Sequence, residues 1–193
     1  VNRDDLPDSG ASHYRKCIEA VRATSPEVTL ELLCSDLAGD HQALAQLLVG
    51  LDLEVFAHNV ECVPRLDSIV RDSRASFEQS IGILVEAKRL RPDILTKSSL
   101  MVGLGETDEE IIAALHLLRT ANVDLVTIGQ YLAPSPNHLA VDRFPEPSQY
   151  DEWSVEIENM GFLGWACGPL VRSSYRAGDL LAKATARLRT DKE

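Results

Sequence analysis

The chain has 193 residues, 45% hydrophobic and 25% charged, a balance that suits one globular domain with a substantial core. Its formal charge of −11 argues against nucleic-acid binding, because neutralising phosphates needs clustered basic residues. Here Lys and Arg are scattered, with only a mild run in the tail "KATARLRTDKE", and no apolar run approaches the roughly 20 residues of a membrane span.

Taken in chain order, "ASHYRKCIEAVRAT" (11–24) has helical periodicity, with Tyr14, Cys17, Ile18 and Val21 on one face. "EVTLELLC" (27–34) is aliphatic and β-branched and predicts a buried strand. "GDHQALAQLLVGL" predicts a helix, and "LEVFAHN" (53–59) a strand that ends in polar residues. "RASFEQSIGILVEAKRLR" is a long amphipathic helix stopped by Pro92, followed by the strand "ILTKSSLMV" (94–102). The turn "GLGETDEE" carries Thr107 and Glu110 at capping-box spacing and opens the helix "IIAALHLLRTA". "VDLVTIGQYL" (123–132) is a further strand. "APSPNHLAVDRFPEPSQ" is a proline-rich connector expected to wrap a surface. A helix around "PSQYDEWSVEIENMG" and a short strand, "FLGWACG", complete the pattern.

Strands alternating with helices imply parallel βαβ units. The expected fold is α/β, an incomplete parallel (β/α) barrel with about four principal strands, flanking helices and a C-terminal extension. Residues 1–132 form the barrel portion and 133–193 the extension. Polar residues gather just after each strand: Asp36, His58 and Asn59, Gly103 to Glu106, Gln130 and Tyr131. Parallel α/β folds place their sites at those strand ends.

Four stretches carry candidate chemistry. The glycines of "LMVGLGETDEE" either admit a ligand close to the backbone or simply make a tight βα turn. Asn59 and Glu61 in "FAHNVECVPR" share a side if the chain stays extended, and either grip ribose hydroxyls or form a solvated loop. His58 is a base or a hydrogen-bonded structural histidine. Lys97, inside the otherwise apolar "TKSS" strand, must face a polar cavity or an anion, since burial without a partner is costly. In "GPLVRSSYRAGD", Ser173 and Ser174 stand between Arg172 and Tyr175, as surface filler or as ligands. Cys17, Cys34, Cys62 and Cys167 lack CxxC spacing, so neither a zinc ribbon nor a disulfide scaffold is expected, and a reduced, cytoplasmic compartment is.

The segments "DDLPDSGA", "FAHNVECVPRL", "TKSSLMVGLGETDEE", "TIGQYLAPSPNHL" and "GPLVRSSYRAG" occur in the order and approximate spacing of lipoyl synthases. The chain thus resembles that radical S-adenosylmethionine family from residue 1 to about residue 180. The resemblance implies insertion of two sulfur atoms at C6 and C8 of a protein-bound octanoyl-lysine. It also implies two four-iron–four-sulfur clusters, of which one cleaves S-adenosylmethionine and the other is dismantled as the sulfur source. Implied partners are an octanoylated lipoyl domain or glycine cleavage H protein and a reductant such as ferredoxin or flavodoxin. A cytoplasmic setting follows for a bacterial parent, a mitochondrial or plastid one for a eukaryotic parent.

By resemblance, Asp4 or Asp5 meets the cofactor's amino group, and Asn59 and Glu61 hold its ribose and nearby groups. Lys97 and Ser98 lie at a strand end facing cofactor or substrate, Gln130 and Tyr131 at the next rim. Ser174 is the oxygen ligand to the auxiliary cluster, supported by Arg172. No catalytic residue is assigned. The family's two three-cysteine motifs are not found in this sequence, and its four cysteines stand elsewhere. With the missing initiating Met, this leads to the expectation of a fragment that is incompetent as an isolated chain. The alternative is a truncated, non-catalytic homologue that binds an octanoylated or lipoylated carrier. Departures from the family pattern are Ser9 and Ser99 in place of Gly, Cys62 in place of Thr, and the lack of a basic residue after the serine in "SPNHLAV".

Overall fold

A computed structural model describes residue 3 and residues 5–190; Asp4, one of the expected cofactor contacts, lies outside the described residues. Five parallel strands run in sequence order across one sheet: β1 (Glu31–Leu33), β2 (Val55–Ala57), β3 (Leu95–Val102), β4 (Leu125–Gln130) and β5 (Gly164–Gly168). Seven helices accompany them among the described residues. These are α1 (Ala11–Thr24), α2 (His41–Leu48), α3 (Asp67–Val70), α4 (Phe77–Leu90), α5 (Asp108–Thr120), α6 (Pro147–Asn159) and α7 (Ala177–Thr190). A parallel sheet in unbroken sequence order, with a helical crossover between successive strands, is the incomplete parallel (β/α) barrel that the alternation implies. The short "GWACG" strand pairs with β4, which brings the sheet to five strands rather than four.

Local chemistry accounts for the element ends. Asp40 accepts from the backbone N–H of Gln42 and Ala43 at the start of α2, and Ser76 from Gln79 at the start of α4. At α5 the capping box is complete, with Thr107 and Glu110 each bonding the other's backbone. No helix among the described residues is long and apolar enough to cross a membrane.

The two sheet faces are buried differently. Phe56, Leu100, Val102, Val126 and Ile128 enter the main core with α1, α2, α4, α5 and α6. On the opposite face, Val55, Leu95 and Leu125 form a second cluster with Ala184 and Leu181 of α7. Residues 177–190, expected only as a basic tail, are thus a helix that covers the start of β2, β3 and β4. Its apolar stripe is narrow, and the strands that complete its burial lie far away in sequence.

Lys97 lies on that same face, two residues beyond Leu95. Its Nζ donates to both oxygens of Glu31 on β1, at 2.8 and 2.9 Å, and its side chain is 1% exposed. The anion that a buried lysine demands is therefore supplied by another strand. Breaking such a pair leaves an uncompensated charge, whereas replacing both partners by apolar groups does not. Glu31→Gln is expected to cost roughly 3 kcal/mol in urea unfolding. Glu31→Leu combined with Lys97→Met should recover most of that loss.

Candidate functional site

Beyond the C-terminal ends of the strands lie two clefts that share Asn59 and Glu61 as lining residues. The larger, of about 870 Å³, is walled by Ile69, Met101, Leu132, Leu139 and Val171 among others. The smaller, of about 500 Å³, has Asp36, Arg71 and Asp72 in its lining.

The shared wall is a continuation of β2 along β3. The backbone N–H of His58 donates to Lys97 O at 3.0 Å, that of Glu61 to Ser99 O at 3.1 Å, and that of Met101 to Glu61 O at 2.7 Å. Between them the N–H of Val60 donates to Ser98 Oγ at 3.1 Å. Ser98 is wholly buried, so it orients the Asn59–Glu61 segment from behind and does not line either cleft. Glu61 reaches the clefts through a left-handed backbone, φ 68°, rather than through an extended chain. A non-glycine residue held there is strained, a feature that clusters at binding sites. Burial pushes the Glu61 carboxyl pKa up, against the opposing influence of its hydrogen bond with Asn59 and of the Arg71 charge. Asn59 Oδ1 is buried and has no hydrogen-bond partner. An amide oxygen and a carboxylate so placed are acceptors for hydroxyl or ammonium donors of a ligand.

His58 is tied into the structure. Its Nδ1 lies 2.9 Å from Cys34 O, an acceptor only, so Nδ1 carries the proton. Nε2 then accepts from Ser80 Oγ at 2.9 Å, and Ser80 Oγ accepts from Arg71 Nη2 at 3.0 Å. Burial holds the His58 pKa below its ordinary value. A neutral imidazole with both nitrogens committed is the structural histidine of the two alternatives.

The glycine turn also resolves toward its structural alternative. Glu106 accepts from the N–H of Gly103 at 2.7 Å and of Leu104 at 2.9 Å, so these donors are consumed within the turn. The proline-rich connector lies over it: Asp142 N donates to Gly103 O at 2.8 Å, and Arg143 Nη2 to Asp108 at 2.8 Å. Gly103, at φ 95°, has no room for a Cβ, which would stand 2.3 Å from Gln130 Nε2 and 2.4 Å from Arg143 O. Gln130 spends its amide on Val102 O, Tyr131 O and Arg143 O. Tyr131 Oη donates to Leu139 O at 3.0 Å. Both residues line the larger cleft while anchoring the connector that forms its rim.

The structure does not bring every expected site residue together. Asp5 is exposed and paired with Arg3, and Lys97 is engaged with Glu31. Arg172 and Ser173 line the larger cleft, and Arg172 Nη1 donates to Val171 O at 2.6 Å. Ser174 sits in an exposed turn just before α7 and is not among the lining residues. Sequence reasoning missed Arg71, one of several scattered arginines in a loop with no distinguishing pattern. It noted Ser99 only as a departure; Ser99 Oγ accepts from Thr127 Oγ1 at 2.8 Å beneath the larger cleft.

Among the described residues no group of three or more His, Cys, Asp or Glu side chains could hold a metal ion. Burial pushes the thiols of Cys34 and Cys62 up to about 12 and that of Cys167 to about 11. None of the three belongs to such a group, so the described residues offer no set of three thiolates for an iron–sulfur cluster.

Because folding raises the Glu61 pKa, the unfolded chain ionises first as pH rises through the ordinary carboxylate value of 4.5, and stability falls from there until the folded group also ionises. Glu61→Gln removes that penalty. Its melting temperature should exceed that of the wild type at neutral pH, with the gap closing as pH drops below about 4. A gap that persists unchanged in acid would contradict this account.

No family model matches the chain. Against curated proteins, it is 54% identical over 181 residues to "Lipoyl synthase" of Halorhodospira halophila, covering 94% of this chain and 54% of that protein. It is 50% identical over 190 residues to "Lipoyl synthase" of Thermus thermophilus, covering 97% of this chain and 58% of that protein. It is 49% identical over 183 residues to "Lipoyl synthase, chloroplastic" of Arabidopsis thaliana, covering 95% of this chain and 46% of that protein. The chain spans about half the length of the curated relatives it matches.

Proposed function

This chain belongs to the lipoyl synthase family, and from that premise we propose that its two joined clefts receive S-adenosylmethionine and, beside it, the octanoyl chain of a carrier-bound lysine, for sulfur insertion at C6 and C8. The observation that carries this reading is the shared wall. Asn59 and Glu61 stand where both clefts meet, one with an unpartnered buried oxygen and the other on a strained backbone. When bound, S-adenosylmethionine supplies the radical chemistry of the family.

The chain's own residues bind and orient. Asn59 and Glu61 accept from the cofactor's hydroxyl and ammonium donors, while Ser98 fixes the intervening backbone. The apolar side of the larger cleft suits an acyl chain, at about 0.8 kcal/mol per buried methylene. Gln130, Tyr131 and the connector they anchor keep water from that side. Ser174 and Arg172 keep the role that the resemblance implies, an oxygen ligand and its supporting cation. The described thiols do not fit either cluster, so no step is assigned through one. A second reading is a non-catalytic module that holds an octanoylated or lipoylated carrier such as a lipoyl domain or H protein. A ferredoxin or flavodoxin reductant belongs to the catalytic reading alone. A bacterial setting would be cytoplasmic and a plant one plastid, the latter in line with the name of the Arabidopsis relative.

Calorimetric titration of S-adenosylmethionine into the chain tests the cofactor reading. Asn59→Ala should weaken binding by about tenfold, the worth of one hydrogen bond to a charged or buried partner. Absence of binding by the wild type, or an Asn59→Ala variant that binds equally well, sinks it. Anaerobic incubation of this chain alone with an octanoylated lipoyl domain and reductant should yield no lipoyl product, and product formation would overturn the expected incompetence of the isolated chain.

A further inference from the structure

The larger cleft has apolar side chains in its walls but a polar floor. On β3, Leu95, Lys97, Ser99 and Met101 alternate onto the face opposite the main core, which Leu100 and Val102 enter. β4 matches them in register, with Leu125 beside Lys97, Thr127 beside Ser99 and Gly129 beside Met101. Met101 and Gly129 line the cleft together with Val171. A Cβ on Gly129 would stand 2.2 Å from Val171 O, so the backbone of Val171 closes over β4 at that rung. One rung further in, Ser99 still lines the cleft, whereas Thr127 is wholly buried. The rung beyond is shut by Leu125 and by Lys97 in its ion pair with Glu31. The cleft therefore ends on the Ser99–Thr127 rung.

Those two hydroxyls share one hydrogen bond, 2.8 Å long, and so hold one proton more than it uses. Thr127, sealed from the cleft, donates to Ser99. Ser99 keeps its own proton, for which the described residues supply no acceptor. A single donor is thereby left at the end of an apolar passage. An alkyl terminus pressed against it strips the hydroxyl of water and returns no hydrogen bond, which offsets what a further buried methylene contributes. We propose that Ser99, held by Thr127, is the chain-length stop of the larger cleft, the residue that makes it prefer a straight acyl chain of medium length to a longer one. This rests on the acyl reading above and adds to it the group that limits how far the chain enters.

The test is a calorimetric series on the full chain, with peptides carrying hexanoyl-, octanoyl-, decanoyl- or dodecanoyl-lysine. Wild-type affinity should rise by about fifteenfold for each added pair of methylenes until the stop is reached, and then level off or fall. Ser99→Ala should bind the first chain past that break about tenfold more tightly than the wild type does, with the shorter chains unchanged. Because Ser99→Ala strands the Thr127 hydroxyl, the double variant Ser99→Ala with Thr127→Val repeats the comparison with both hydroxyls gone. It should give the same result, and it decides the matter if the single variant does not fold. An unbroken rise in the wild type overturns the assignment while leaving the acyl reading intact, as does a variant that shifts all chains equally or none. Absence of binding by every peptide overturns both.

Discussion

The positions of Asn59 and Glu61 depend on four hydrogen bonds that carry the chain past the end of β2 and along β3. They run from His58 N to Lys97 O, Val60 N to Ser98 Oγ, Glu61 N to Ser99 O and Met101 N to Glu61 O. A parallel strand normally ends where its neighbour's loop turns away. Here β3 extends far enough to template the segment that follows β2, and that segment becomes a wall between two clefts instead of a loose loop. The left-handed turn at Glu61 is tolerated because Glu61 is bonded to β3 through both its N–H and its carbonyl.

That constraint explains why several polar residues at the strand ends are supports rather than contacts. Ser98 holds a backbone N–H, Gln130 holds three carbonyls, and Glu106 closes the glycine turn on itself. His58 and Ser80 hold Arg71. Buried polar groups must be satisfied, and around these clefts nearly all of them are satisfied by the protein. The exceptions stand out for that reason. Among the described residues they are Asn59 Oδ1 and Arg71 Nη1, which border the smaller cleft as acceptor and donor, and Arg143 Nε in the connector.

The face of the sheet opposite the main core shows a second economy. α7 seals the start of β2, β3 and β4 with Leu181 and Ala184, and the Lys97–Glu31 pair occupies the same face beyond that apolar cluster. A buried ion pair is weak evidence for stability; here it ties β1 to β3 across the intervening β2.

Much of this was legible in the residues themselves. Periodicity of 3.6 and of 2, the Thr107–Glu110 cap and the stop at Pro92 determined the alternation of elements, hence a parallel sheet with its polar residues at one end. The five quoted segments determined the family. Only the tertiary structure decided which polar residues face the clefts. Lys97 found its anion on a strand 66 positions away in sequence, Ser98 turned inward to a neighbouring backbone, and Arg71 emerged from a patternless loop as a buried, unsatisfied donor. Local pattern reports a residue's own burial preference, whereas hydrogen-bond satisfaction is a property of everything packed around it.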